Sequence, residues 1–221
     1  MTCLLCDSTI ENSEALLDLL LIRKKESKIC KSCTLGFEKN EGQSCPCCNK
    51  GDKEEVCSDC REWERKGYRV SHKAIYRYNP KMKEYFSLYK FQGDYVLREV
   101  FANELKKVIK SDYQGYSIIV VPLSCQRQKE RGFNQVTAIL ESAKIEYQDV
   151  LGKKNVERQS LKSKKERQAT LNPFYIKEGS PVFKKVLIVD DIYTTGTTIW
   201  YIYSILQAHG SKDIKSLSLA R

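Results

Sequence analysis

No apolar run in this sequence approaches the roughly 20 residues needed to cross a bilayer. The chain opens Met1-Thr2-Cys3 with no basic stretch followed by an apolar one, so a secretory signal is not expected. Together these absences argue against an integral membrane protein and against export. The cytoplasm is the expected compartment, with a peripheral position at a membrane left open. A third scarcity is local: nine of the ten cysteines lie between Cys3 and Cys60, and only Cys125 falls beyond them. Disulfides are disfavoured in a reducing compartment, so clustered cysteines there point to metal.

Charge divides the chain at about the same place. Residues 1–64 carry 9 Lys or Arg against 13 Asp or Glu, a formal −4, whereas residues 65–221 carry 29 against 15, a formal +14. The expected organisation is a small acidic, cysteine-rich head over 1–64 and a basic α/β body over 65–221. An excess of +14 on the body favours polyanions such as nucleic acid, or small phosphorylated ligands.

The head contains four CxxC pairs: Cys3 and Cys6, Cys30 and Cys33, Cys45 and Cys48, Cys57 and Cys60. Eight sulfurs are the number for two tetrahedral Zn²⁺ sites of four thiolates each, and a two-residue gap lets both thiolates of a pair face one ion. Sequential pairing puts Cys3, Cys6, Cys30 and Cys33 on one ion and Cys45, Cys48, Cys57 and Cys60 on the other; crossed pairing stays open. Cys47 is spare in either scheme. The leucine-rich stretch from Glu14 to Lys25 is expected to pack as a helix or hairpin against the first site. Four thiolates leave no position for water, so these ions are expected to fold the head rather than do chemistry.

In the body, a strand is expected over 70–78, a helix over Lys81–Lys90 and a second helix over Tyr95–Ile109, whose apolar stripe suits a core face or a partner. Ile118-Ile119-Val120-Val121 is a continuous apolar run, as expected of a strand buried on both faces of a parallel sheet. The polar segment after it carries Arg127 and Arg131, forked donors suited to phosphate or pyrophosphate, and Gly132, where the chain can turn before a helix reaching about Lys144. Residues 153–167, KKNVERQSLKSKKER, hold seven basic residues and two acidic ones. This segment is expected to be a loop that closes over an anion or tracks a nucleic-acid backbone, although no aromatic lies in it to stack on bases.

Val186-Leu187-Ile188-Val189 reads as a second buried strand, closed by Asp190-Asp191. Thr194-Thr195-Gly196-Thr197-Thr198 then turns into a helix running to about Gly210, and a strand over 214–219 completes the sheet. Hydroxyls and bare N–H groups at a helix N-terminus form a phosphate cradle, with Gly196 letting the backbone approach the anion. Two adjacent carboxylates suit hydrogen bonds from a ribose diol, or a hold on Mg²⁺ directly or through water.

The run VLIVDDIYTTGTT resembles the phosphoribosyl-pyrophosphate motif of type I phosphoribosyltransferases. The resemblance implies an α/β body with an open parallel sheet of the type I phosphoribosyltransferase kind, preceded by a double zinc ribbon head. It implies that Asp190 and Asp191 contact ribose hydroxyls and that Thr194, Thr195, Gly196, Thr197 and Thr198 wrap the 5′-phosphate. Arg127 and Arg131 then fall at the pyrophosphate, with Mg²⁺ brought by the ligand. Thr197 stands where many relatives have Ala, and no hood that selects a nucleobase is recognisable. More narrowly, the CxxC pairs, YNxxMKxxxxxYKFxGD at Tyr78–Asp94, ERGFNQ at Glu130–Gln135 and a Q-x-L-x5-R pattern at Gln159–Arg167 resemble the competence protein F family of naturally transformable bacteria. That resemblance implies an accessory role in single-stranded DNA uptake. The partners it implies are single-stranded DNA, phosphoribosyl pyrophosphate and the ATP-driven DNA translocase, which would hold the protein at the inner membrane face. The alternative it implies is an active phosphoribosyltransferase with an unknown acceptor. A transcriptional regulator is a third reading, for which no helix-turn-helix pattern appears.

Overall fold

The computed structural model describes residues 1–10, 28–52, 54–154 and 172–221. The leucine-rich stretch from Glu14 to Lys25, the Gln159–Arg167 pattern and all but Lys153 and Lys154 of the polar 153–167 segment lie outside the described residues.

The head uses one device twice. A knuckle around the first CxxC is closed by Cys3 N–H donating to the Ser8 carbonyl at 2.8 Å, and a second by Cys45 N–H donating to Lys50 at 2.9 Å. Each is followed by a short helix, α1 (Lys31–Leu35) and α2 (Ser58–Arg65), whose N-caps are Cys30 and Cys57. The other cysteine of each pair, Cys33 or Cys60, is then the third helical residue. N-cap and third positions face each other across the first turn, so a two-residue gap brings both sulfurs to one side.

The body is a four-stranded parallel sheet with spatial order β1 (His72–Tyr76), β6 (Asp213–Ala220), β5 (Lys185–Ile192) and β2 (Ser117–Val120). Val186, Leu187, Ile188 and Val189 are all 0% exposed, as a continuous apolar strand covered on both faces requires. Each such burial contributes about 1.5–3 kcal/mol. Because successive side chains alternate, Leu187 and Val189 join one core while Val186 and Ile188 join the other. The first core is covered by α3 (Pro80–Phe91), α4 (Ala102–Asp112) and α6 (Gln135–Ser142), and the second by α7 (Thr197–Ala208).

The cysteine clusters are built into these two cores. Cys3 and Cys33 pack in the first with Phe37, whose ring meets Tyr76, Tyr85 and Phe101 edge-on at 6.2, 6.3 and 4.9 Å between centroids. Cys45, Cys48, Cys57 and Cys60 pack in the second with Trp63. Residues 38–40 run along the free side of β1, where Arg77 N–H donates to the Glu38 carbonyl at 2.8 Å and Asn40 N–H to Ile75 at 2.9 Å.

Three expectations about the body are corrected. The helix expected over Tyr95–Ile109 is a 3₁₀ turn, Tyr95–Glu99, followed by α4. The Leu97 carbonyl accepts the Val100 N–H at 3.1 Å, a bond of 3₁₀ spacing, and also the Tyr85 hydroxyl at 3.2 Å. The polar segment after β2 contains a helix, α5 (Cys125–Arg131), capped by the Ser124 hydroxyl and ended by Gly132 at φ 76°. An antiparallel pair, β3 (Leu151–Lys153) and β4 (Phe174–Ile176), anchors both flanks of the basic segment and carries Lys153.

Candidate functional site

The crevice at the carboxyl ends of β2 and β5 is where an open parallel sheet receives ligands. Asp190 and Asp191 are still within β5, and the chain leaves the sheet only after Tyr193 N–H bonds the Ala220 carbonyl at 2.9 Å. Asp191 pairs with Lys90 of α3, Nζ to Oδ2 at 2.6 Å, with side chains only 18% and 11% exposed. Asp190 accepts the Asp191 N–H at 2.9 Å. Burial, and then repulsion from Asp191, push the Asp190 carboxyl up to about 7, against the attraction of Lys90 and Lys153.

Arg131 and Lys153 complete a cationic wall. The Arg131 guanidinium donates to Gln135 Oε1 at 2.8 Å. Burial lowers the Arg131 pKa; the Asp191 carboxylate works against that and the Arg127 charge adds to it. Lys153 is likewise lowered by burial and by Arg127, and supported by Asp190. Lys90, Arg131 and Lys153 thus act on two carboxylates, one of which holds its proton near neutrality, and Arg127 lies close enough to act on Arg131 and Lys153. Among the described residues the cations here outnumber the carboxylates, Glu130 included, which suits a polyanion.

Beyond the carboxylates, Thr194, Thr195 and Thr197 are exposed, and the N-terminus of α7 has no side-chain cap. Thr197 N–H makes only a long bond to Thr195 Oγ1, 3.5 Å, and the other first-turn N–H groups are left for a ligand or solvent. Gly196 also serves the packing of the loop. It adopts φ +83°, and a Cβ there would run into the Tyr193 hydroxyl and lie 3.2 Å from Trp63 Nε1. The glycine lets other parts of the protein close on the loop. Trp63 Nε1 donates to the Thr195 carbonyl at 2.8 Å, and Arg221 Nη1 to the Thr194 carbonyl at 3.0 Å.

The eight cysteines gather in the sequential arrangement, with the sulfurs of Cys3, Cys6, Cys30 and Cys33, and those of Cys45, Cys48, Cys57 and Cys60, each within 4.8 Å of one another. Cys47 lies outside both. The donor set fits Zn²⁺: N–H groups point at sulfurs, Cys30 N to Cys3 at 3.2 Å and Cys57 N to Cys45 at 3.3 Å, as suits thiolates. The Cys33 N–H, with the Ser8 hydroxyl, draws Cys30 down to about 6. Burial raises Cys45, but the N–H groups of Cys57, Cys47 and Cys48 bring it down to about 6. In each cluster at least one thiol is thus drawn toward the thiolate form that a cation binds, with Cys6 also lowered in the first by the Ser8 hydroxyl. The second cluster is wholly buried, whereas Cys6 of the first is exposed.

The family model for the phosphoribosyl transferase domain matches residues 105–221. Competence protein ComFC of Streptococcus pneumoniae is 44% identical over 221 residues, covering 100% of both chains. The chain belongs to the ComFC family. Competence protein ComFC of Bacillus subtilis is 32% identical over 230 aligned residues, covering 100% of this chain and 95% of its own. Among solved structures, the allosteric regulatory enzyme of purine biosynthesis overlays 56% of this chain and 26% of its own at 20% identity and a TM-score of 0.39, too distant to bear on function.

Within this member of the family, the structure gathers Asp190, Asp191, Arg127 and Arg131 into one charged network and sets the Thr194–Thr198 loop at its edge. Lys90, Trp63 and Arg221 are the members that sequence reasoning missed. Lys90 sits in the YKFxGD stretch quoted above without a role, whereas Lys153 is named only within the basic run expected to close over an anion. No local signal marks Trp63 or Arg221, because each reaches its partner through the fold.

Proposed function

We propose that this ComFC-family protein binds phosphoribosyl pyrophosphate in the β5–α7 crevice and serves as an accessory protein for single-stranded DNA uptake. The observation that carries the binding reading is the Asp190–Asp191 pair embedded among Lys90, Arg127, Arg131 and Lys153. In this reading the carboxylates accept hydrogen bonds from the ribose hydroxyls. Thr194–Thr198 and the bare N–H groups of α7 hold the 5′-phosphate, and the cations take the pyrophosphate. Mg²⁺ accompanying the ligand would share its charge between the phosphate oxygens and the two carboxylates. Two Zn²⁺ ions, one per cysteine cluster, stabilise the head over residues 1–64, and residues 65–221 form the phosphoribosyl body.

The DNA reading is supported by the formal +14 of residues 65–221 and by the names of the relatives. Its setting is the cytoplasmic side of the membrane, beside the ATP-driven DNA translocase. A transferase reaction is favoured by one arrangement, carboxylates at the ribose and guanidiniums at the pyrophosphate. That charge pattern suits a transition state with cationic ribose and anionic leaving group. The bond from C1 to pyrophosphate breaks, the acceptor's lone pair forms the new bond to C1, and the acceptor gives up a proton.

Calorimetric titration of the zinc-loaded protein with phosphoribosyl pyrophosphate and Mg²⁺ tests the binding reading. Micromolar binding in the wild type, lost in the D190A/D191A double variant, is the expected result. Unchanged binding in the double variant refutes the assignment of this loop. Pyrophosphate release on adding candidate acceptors separates transfer from binding alone.

A further inference from the structure

The chain has two tryptophans, Trp63 and Trp200, and they form one stacked pair with ring centroids 5.4 Å apart and planes at 27°. Trp200 lies in the first turns of α7, just behind the phosphate loop. Trp63 lies in α2, three residues after Cys60, and is buried. Its indole N–H reaches the Thr195 carbonyl at 2.8 Å across 132 residues of sequence. The preceding carbonyl, Thr194, accepts from Arg221, whose other Nη lies 3.6 Å from Asp59, also on α2. One helix thus holds two consecutive loop carbonyls, the first directly and the second through Arg221.

Fixing a carbonyl fixes more than an acceptor. The peptide unit is planar and trans, so the N–H of the next residue points the opposite way. With the Thr194 and Thr195 carbonyls turned toward α2, the N–H groups of Thr195 and Gly196 turn away from it. Successive N–H groups aimed to one side form an anion-binding nest. The helix that imposes this geometry has 8 residues. A helix so short does not persist in water on its own propensity. Its first turn instead carries Cys57 and Cys60 at the N-cap and third positions, two of the four sulfurs of the second cluster.

Resting on the phosphoribosyl reading above, we infer that Trp63 is a positioning residue for the phosphate loop, so that metal in the second cysteine cluster sets the loop's affinity for a phosphorylated ribose. With metal bound, α2 is pinned at Cys57 and Cys60 and presents Trp63 and Asp59 to the loop. Without it, the first turn of α2 loses its tie, both carbonyls are released, and the nest loses its preset direction. The first cluster provides an internal control. Among the described residues its buried members Cys3 and Cys33 belong to the opposite core from Trp63, Tyr193 and the buried face of α7.

The test compares zinc-loaded wild type with Trp63→Phe, which keeps an aromatic ring on Trp200 but removes the N–H together with the five-membered ring that carries it; the second probe and the second variant separate the lost hydrogen bond from the lost volume. Calorimetry with Mg²⁺ uses two probes, phosphoribosyl pyrophosphate and inorganic pyrophosphate. The expected result is about a tenfold loss of affinity for the first, the equivalent of about one hydrogen bond, with the second unchanged and both zinc ions retained. A general loosening of the fold would weaken both probes alike. Should Trp63→Phe lose zinc, Arg221→Met, which frees the Thr194 carbonyl, is expected to show the same split. Graded chelation of the wild type adds an independent readout, the indole N–H resonance of Trp63 assigned by comparison with Trp200→Phe. Loss of the first zinc, from the cluster with the exposed Cys6, is expected to leave that resonance and the affinity in place; loss of the second is expected to shift both. Equal affinity in wild type and both variants, or an affinity that falls with the first zinc, overturns the inference and leaves the phosphoribosyl reading standing. No binding of phosphoribosyl pyrophosphate by zinc-loaded wild type overturns both.

Discussion

Replacing Asp190 by Asn should make the ligand-free protein more stable, and increasingly so as the pH rises. An ordinary aspartate titrates near 3.8, and here burial and the neighbouring Asp191 raise it to about 7. A folded pKa above the unfolded one means that the native state holds the proton more tightly. The carboxyl therefore costs nothing well below 3.8, costs progressively more between 3.8 and about 7, and costs a constant amount above. At 1.36 kcal/mol for each tenfold change in acidity, the full penalty is about 4 kcal/mol. Asn keeps an oxygen to accept the Asp191 N–H and carries no charge at any pH. Its advantage over the wild type should be about 2 kcal/mol near pH 5.5 and about 4 kcal/mol near pH 8. Urea unfolding of both proteins at the two pH values measures this, and taking the difference between them cancels the titration of the cysteine clusters. The signature is the rise with pH, since any fixed difference between an amide and a neutral carboxyl is the same at both. An advantage that is flat with pH would falsify the reasoning. If the same variant also loses phosphoribosyl pyrophosphate binding, the carboxylate is retained for the ligand at the expense of the fold.

Two further substitutions probe the same crevice. Lys90→Met should lower the unfolding free energy by about 3 kcal/mol, because it leaves the little-exposed Asp191 carboxylate without its partner; a shift under 1 kcal/mol in urea would show the pair to be solvated. Gly196→Ala should destabilise the fold by about 1–3 kcal/mol, since alanine is strained at φ +83° and its methyl meets the Tyr193 hydroxyl. An unchanged melting temperature in that variant would mean that the loop relaxes without effort.

How much of this was legible in the sequence depends on how far each signal reaches. The buried strands were readable because four consecutive apolar β-branched or leucine residues leave few other homes, and 186–189 are indeed fully covered. The cysteine pairs were readable because the N-cap and third helical positions are local. Helix α5 was not, because CQRQKER buries no side chain and so carries no hydrophobic period. The three-residue strands β3 and β4 are too short to alternate visibly. Asp190 and Asp191 announced themselves as a pair beside a strand end. Lys90, which neutralises one of them, sits in a helix whose apolar neighbours Tyr85, Phe86 and Tyr89 dominated the reading. Trp63 sits in a short charged helix, and only the folded chain shows which carbonyl it serves.

The long-range ties also constrain the order in which the chain can assemble. β1 pairs with β6, and the buried His72 bonds the hydroxyls of Ser216 and Ser218 across 144 and 146 residues. During vectorial synthesis the cysteine-rich segment and β1 leave the ribosome long before the strand that will neighbour them. Over that interval β1 has no sheet to join, and Trp63 has neither loop nor indole to pack on. Local knuckles that can close around a metal give the early chain structure that needs no distant partner. Thiolate clusters placed first in the chain are thus suited to hold the amino-terminal segment in a protected, soluble form until the last strand arrives to complete the sheet.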